Sequence, residues 1–133
     1  MRKSFWVLGV VLMLMALILA ACAAGASTKN PSAAAVESYL KALVSKDAAK
    51  VSAISCKTWE SQALLEMDGF QAVKAELDNV VCKDSGSDGS ATLVNCTGNI
   101  SLTYDTEKQS LDVSRQTYKV VQEGGDARVC GYK

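Results

Sequence analysis

VNCTGNISLTY, residues 94–104, decides the fold of this chain, because its apolar and polar side chains alternate along the whole segment. Successive side chains of a β-strand point to opposite faces of the sheet, so the alternation predicts a long strand with one face on a core and the other in solvent. Gly98 interrupts the apolar face, and a glycine inside a strand is typical of a bulge or a bend.

The chain before this strand is predicted to fold back onto it as a hairpin. DNVVCKD, residues 78–84, reads as a strand, and DSGSDGS, residues 84–90, is a cluster of turn-forming residues. If the numbers of opposed residues add up to 178, the apolar faces of both strands agree. This register opposes Cys82 with Cys96, which favours a disulfide between them, and Val80 with Gly98.

Further strands are predicted after the decisive one. Residues 105–109 form a turn, and residues 111–121 form a strand whose apolar side chains change alternation phase halfway. An extra residue near Arg115 or Gln116, a β-bulge, would reconcile the two phases. A Gly-Gly turn then leads into a last strand, residues 127–132.

A helical pattern opens the domain. Asn30 followed by Pro31 is typical of a helix start, since the amide that proline lacks has no partner in the first turn. Glu37 falls outside the apolar stripe and is predicted to lie on the surface, as are Lys41 and Ser45. Helical spacing places four side chains on one core-facing stripe: Val36, Tyr39, Leu40 and Leu43.

Two shorter helices are predicted next. Asp47 is a capping residue for residues 48–55, and Thr58 for a helix that runs through Met67 and ends at the Asp-Gly pair after it. FQAVKAEL, residues 70–77, has helix-forming residues but leads into a strand. The sequence is compatible with both a helix and a strand for this segment.

The first 22 residues have the layout of an export signal. A basic start, MRKSFW, precedes an apolar run and the small-residue segment LAAC, so residues 1–21 are predicted to be a signal peptide. LAAC resembles the lipobox of bacterial lipoproteins, which implies cleavage before Cys22 and a lipid on its thiol. Residues 22–29 then form a flexible tether. The alternative is an uncleaved membrane-spanning helix, which also delivers the domain to the outside.

The cysteine count fits this interpretation. Five cysteines are present, and a lipid on Cys22 leaves an even set in an oxidising compartment. With Cys82 and Cys96 paired across the hairpin, Cys56 and Cys130 form the second disulfide by elimination. Zinc is the competing use of four cysteines, but the spacings contain no close C-x-x-C pair. We therefore expect no metal and no other cofactor.

Composition excludes several classes of function. Without its leader, the chain carries 12 basic and 14 acidic side chains with no basic run, so nucleic acid is not an expected partner. The chain has no histidine, which removes the Ser-His and Cys-His nucleophile pairs. These absences favour a non-catalytic module over an enzyme.

Helices followed by antiparallel strands predict an α+β domain over residues 30–133, with N-terminal helices packed on a curved antiparallel sheet of about four strands. This element order, together with the helix PSAAAVESYLKALVSKD, resembles the nuclear transport factor 2-like or cystatin-like superfamily. The resemblance implies a cone-shaped fold. Relatives similar to ketosteroid isomerase imply an alternative, proton transfer by Asp78 or Asp112 with Tyr39, Tyr104 or Tyr118.

The expected function is that of a lipid-anchored binding or interaction module on the extracytoplasmic face of a bacterial cell membrane. Its partner is an unknown envelope protein or a small apolar ligand. A pocket between the helices and the sheet would hold such a ligand. Six side chains are candidates for lining this pocket, although core packing is their alternative role: Tyr39, Trp59, Met67, Phe70, Tyr104 and Tyr118.

Overall fold

The computed structural model describes residues 30–133 and has the predicted α+β architecture, with three helices packed against one antiparallel sheet. The predicted signal peptide, Cys22 and the tether lie outside the described residues. No helix within the described range is long and apolar enough to cross a membrane. The helices are α1 Pro31–Ser45, α2 Ala48–Ile54 and α3 Glu60–Asp68, and the strands are β1 Lys74–Asp88, β2 Ala91–Tyr104, β3 Glu107–Asp112, β4 Thr117–Glu123 and β5 Asp126–Tyr132.

Strand β2, which contains the decisive segment, is the centre of the sheet. The strand order is β1-β2-β4-β5, and β3 also pairs with β2. β3 pairs with residues 99–104 of β2 and β4 with residues 92–95, so two short strands share one edge of a long one. The 3-10 turn Val113–Arg115 lies between them.

This 3-10 turn replaces the bulge predicted near Arg115 or Gln116. The predicted strand over residues 111–121 is two strands, since the chain leaves β2 after Asp112 and returns to it at Thr117. The Asp112 carboxylate accepts a hydrogen bond from the backbone N–H of Ser114 at 2.8 Å and caps the turn. The change of alternation phase marks this break between the two strands.

The predicted hairpin register holds from Val81 to Asp84 and is wrong on both sides of this stretch. Cys82 lies opposite Cys96, but the register shifts between Asp78 and Val81, so Val80 is not the single partner of Gly98. Two residues of β1 therefore face Gly98, which is a β-bulge. A Cβ at Gly98 would lie 2.6 Å from the carbonyl oxygen of Asn79, so only glycine fits this position.

The predicted turns are longer than the observed ones. β1 continues to Asp88, and only Gly89 and Ser90 connect it to β2, because Gly89 adopts the positive φ of 62° that such a short turn requires. Likewise β3 begins at Glu107, directly after a turn in which Asp105 has a φ of 48°. These polar residues have side chains that favour turns, but their backbone hydrogen bonds to β2 place them in strands.

The helices follow the sequence closely. All four side chains of the predicted α1 stripe are buried, and the Asp47 carboxylate accepts the N–H of Lys50 at 3.0 Å at the start of α2. The predicted Thr58 cap is wrong, because Trp59 occupies the N-cap position of α3. Of the open segment, residues 70–73 form turns and residues 74–77 begin β1.

Glu37 does not lie free on the surface as predicted. It is half-buried, and its Oε1 accepts the backbone N–H of Cys82 at 3.0 Å. β1 is an edge of the sheet, where backbone donors have no neighbouring strand to bind. Glu37 therefore ties α1 to this edge.

Both favoured disulfides are present. Cys82–Cys96 joins β1 to β2 with a Cα–Cα distance of 4.0 Å, and Cys56–Cys130 joins the segment after α2 to β5 with a Cα–Cα distance of 5.2 Å. The backbone N–H of Cys56 also donates to the carbonyl of Val129 at 2.9 Å. The helices are thus fastened to the last strand by a covalent bond and a hydrogen bond.

Candidate functional site

A cleft of about 480 Å³ opens between the C-terminal half of α1, the end of α3 and the corner where β3 passes into β4. Its volume falls within the range of about 300–1,000 Å³ that is typical of small-molecule sites. Apolar side chains supply much of the wall and a few polar groups interrupt it. The lining residues are Leu40, Leu43, Glu66, Phe70, Ile100, Ser110, Leu111, Asp112, Val113, Arg115, Gln116, Tyr118 and Tyr132.

Glu66 is a polar group of the cleft that accepts hydrogen bonds from two tyrosines. It lies on α3, and its Oε2 accepts the hydroxyl of Tyr39 at 2.8 Å and the hydroxyl of Tyr132 at 2.5 Å. The indole N–H of Trp59 donates to the Tyr39 oxygen at 3.4 Å. We call these four residues the Glu66 cluster.

Ring contacts hold the cluster in place. The ring of Tyr132 packs edge-on against Trp59 at a centroid distance of 5.4 Å and against Tyr118 at 5.2 Å. Trp59 lies directly over Gly131, where a Cβ would come within 3.1 Å of the indole ring. The glycine in β5 therefore makes room for the indole ring on the strand, beside Tyr132.

The tyrosines of this region are neutral. Burial raises the pKa of Tyr118 to about 12. Burial is also the main cause that raises the pKa of Tyr39, and burial followed by the hydrogen bond to Glu66 raises that of Tyr132. Their hydroxyl protons are therefore retained at physiological pH, and the hydrogen bonds of the cluster run toward Glu66.

The structure brings only part of the predicted pocket together. Phe70 and Tyr118 line the cleft, whereas Tyr39 and Trp59 lie behind it in the Glu66 cluster. Met67 is buried in the core. Tyr104, the last residue of β2, is 44% exposed and takes no part in lining the cleft.

Glu66 was not predicted from the sequence. Within ESQALLEMD a lone glutamate looks like one of the solvated charges of a short helix. One signal could have identified it: Ala63 and Met67 are the buried residues of α3, and Glu66 lies next to that face at helical spacing. Its tyrosine donors come from α1 and β5, which no local pattern connects.

The two predicted aspartates are poorly placed for proton transfer. Asp78 is exposed beside the β1 bulge, where it accepts the side-chain amide of Asn79 at 2.8 Å. Asp112 lines the mouth of the cleft, but hydrogen bonds from Ser114 hold its pKa below the ordinary value. A carboxylate stabilised in this way is a weak base.

One group of residues within the described range has the spacing of a metal site. Ligand atoms of Cys56, Cys130 and Glu123 lie within 4.8 Å of one another. The two sulfurs are bonded to each other as a disulfide, so they have no thiolate to offer a metal.

The comparisons with known proteins bear on the fold. No protein-family model matches this chain, and no curated protein is similar to it. Among solved structures, the chain is similar to the helical cell shape determining protein Pgp2 from Campylobacter jejuni, with 8% identity and a TM-score of 0.50. The likeness covers 75% of this chain but 38% of that protein, and at this identity it shows a shared fold alone.

Proposed function

We propose that this protein is a lipid-anchored module of the bacterial cell envelope that binds a small ligand without transforming it. The cleft carries this proposal, because it combines apolar walls with a polar group, Glu66, that two tyrosines hold in place through hydrogen bonds. Fixed polar groups in an apolar cleft are typical of sites that orient a small molecule.

The proposed location rests on the sequence before the domain. LAAC after an apolar leader supports a lipid on Cys22 and export of the domain. The two disulfides agree with this location, since disulfides persist in oxidising compartments and are rare in the cytosol.

Binding suits the cleft better than acid–base catalysis by the predicted aspartates. Asp78 lies outside the cleft, and the carboxylate of Asp112 is exposed at its mouth with a lowered pKa. A catalytic base at neutral pH needs the opposite shift, toward a higher pKa. We therefore assign Asp112 a structural role as the cap of the 3-10 turn.

The binding role can be tested by obstructing the cleft from its rim. Ser110 is exposed on β3 and lines the cleft, whereas its neighbour Gln109 is exposed but is not part of the lining. In liposomes carrying the full lipidated chain, phenethyl alcohol should bind to the wild type and to Gln109→Phe. Binding should be lost in Ser110→Phe.

Trp59 offers the readout for this titration. The chain has two tryptophans, and cleavage of the leader removes the other one, Trp6. The indole packs on Tyr132, a residue of the cleft wall, so its fluorescence should respond to an occupied cleft. Protein-free liposomes correct for partition into lipid. Equal binding to both Phe variants would contradict the proposal.

The anchor has a separate test. Cys22→Ser removes the acceptor of the lipid, so we expect the precursor to stay unprocessed or the domain to leave the membrane fraction. Membrane retention of a cleaved Cys22→Ser product would contradict the lipid anchor.

A further inference from the structure

We propose that the cleft selects an apolar ligand that carries a protonated amine, with Glu66 as the counter-ion of that amine. The inference rests on the proposed binding function and names the chemical class of the ligand.

The direction of the hydrogen bonds is the first argument. A phenol has one hydroxyl proton, and Tyr39 and Tyr132 both donate theirs to Oε2 of Glu66. The N–H of Trp59 is used as well, on the Tyr39 oxygen. The cluster therefore has no donor left for a ligand, and what it offers to the cleft is an acceptor.

The second oxygen of Glu66 supplies that acceptor. Within residues 30–133, both hydrogen bonds to this carboxylate fall on Oε2, and none is found to Oε1. Glu66 lines the cleft, so a ligand that enters meets a carboxylate with free acceptor capacity. An ammonium group provides hydrogen-bond donors for this carboxylate and also a charge opposite to that of a glutamate.

Charge balance is the second argument. The ion pairs found among residues 30–133 join other side chains, and none of them includes Glu66. Arg115 lines the same cleft, but it lies on the exposed 3-10 turn, where it interacts with Asp112. A cationic ligand would give Glu66 a partner in a cleft where water screens the charges less than in bulk solvent.

The walls suit the rest of such a ligand. Phe70, Tyr118 and Tyr132 bring three aromatic rings to the cleft, and the faces of aromatic rings attract cations. Leu40 and Leu43 offer hydrocarbon surface at the C-terminal half of α1. An amine attached to a ring or a short hydrocarbon matches both surfaces.

A series of three probes tests the inference on the full lipidated chain in liposomes. Phenethylammonium, phenethyl alcohol and 3-phenylpropionate share the phenyl ring and differ in the charge of the other end. We expect phenethylammonium to bind at least about tenfold more tightly than the alcohol, because a charged donor forms a stronger hydrogen bond with a carboxylate than a neutral hydroxyl does. We expect 3-phenylpropionate to bind most weakly.

A matched pair of variants locates the effect. Glu66→Gln keeps the shape of the side chain and removes its charge, so it should abolish the preference for the ammonium over the alcohol. Glu37→Gln removes a charge from a glutamate that binds the β1 edge instead of the cleft, and should keep the preference. The comparison of probes on the wild type does not depend on how either variant folds.

The outcomes separate this inference from the binding function. Equal affinity for ammonium and alcohol, with Ser110→Phe blocking both, would overturn the amine inference and leave the binding function standing. Preference for 3-phenylpropionate would overturn the inference in favour of an anion bound by Arg115. If no probe bound, the inference and the binding function would both be contradicted.

Discussion

Glu37 and Glu66 are both half-buried glutamates on helices, but they serve different parts of the molecule. Glu37 accepts a backbone N–H from Cys82 on the edge of the sheet, whereas Glu66 accepts two phenol hydroxyls beside the cleft. Glu37 gives a backbone donor at the sheet edge its hydrogen-bond acceptor, whereas Glu66 places a carboxylate in the wall of the cleft. These partners support a structural role for Glu37 and are compatible with the binding role that we propose for Glu66.

The same contrast extends to the regions around the two glutamates. The hairpin region, residues 74–104, is held by backbone pairing, the Cys82–Cys96 disulfide and the close approach of Gly98 to Asn79. The cleft region consists of the lining residues given above, which come from the helices, the sheet and the 3-10 turn. We expect changes in the hairpin region to affect stability alone, and changes in the cleft region to affect binding as well.

Loss of a disulfide should have the largest effect on stability. The Cys56–Cys130 bridge spans 74 residues and the Cys82–Cys96 bridge 14, so loop entropy assigns them about 4–5 and about 3 kcal/mol. Double Cys→Ser variants of each pair, compared by urea unfolding, test this order. A larger loss for the hairpin pair would mean that native contacts outweigh loop entropy.

Gly98→Ala should come next, because the new Cβ would lie 2.6 Å from the Asn79 carbonyl oxygen at a φ of 104°. We expect a loss of at least about 2 kcal/mol in the free energy of unfolding. Gly89→Ala is the control, since its positive φ of 62° comes with open space around the Cβ. Equal losses for both variants would refute the role of the close contact.

Alkaline pH should weaken the cleft region. An unfolded tyrosine loses its proton near pH 10, whereas buried Tyr118 has a pKa of about 12. Between these values the unfolded chain binds fewer protons than the folded one, so the free energy of unfolding falls as pH rises. Below pH 10 this contribution is complete.

We expect Tyr118 to contribute a slope of about 1.4 kcal/mol per pH unit in that window. Urea unfolding at pH 9, 10 and 11 measures it, and Tyr118→Phe should reduce the slope. An unchanged slope in this variant would show that other groups cause the alkaline loss.

Glu37→Ala should have a smaller effect, a loss of about 1–2 kcal/mol, because the N–H of Cys82 loses its acceptor. Glu37→Gln keeps a carbonyl oxygen for that N–H and should cost less. Glu66→Gln likewise keeps an acceptor for the tyrosines. Thermal unfolding of the three variants checks this order, which fails if Glu37→Gln is as damaging as Glu37→Ala.

Local patterns predicted much of the fold. The alternation of residues 94–104, the α1 stripe and the spacing of the cysteines depend on periodicity and covalent geometry, which a sequence displays directly. The β-bulge opposite Gly98 and the separation of β3 from β4 depend on how the neighbouring strands pair with β2. That arrangement follows from tertiary pairing, and its only sign in the sequence is the change of alternation phase within residues 111–121.

The candidate site was less accessible to sequence reasoning. Phe70 and Tyr118 were identified as pocket residues by their type, but Glu66 was not, because its meaning comes from partners 27 and 66 residues away. Glu37 was misplaced on the surface for the same reason. A charged side chain beside an apolar stripe is ambiguous until its partner is known.

Side-chain carboxyl ¹³C resonances of the full lipidated chain in detergent micelles distinguish the two glutamates most directly. Glu66→Gln and Glu37→Gln assign the two signals, and phenethylammonium is then titrated into the wild type. We predict that the Glu66 resonance shifts with saturation while the Glu37 resonance stays in place. A saturating shift of Glu37, or no shift of Glu66 while the probe binds, would contradict the assignment of Glu66 to the ligand and Glu37 to the fold.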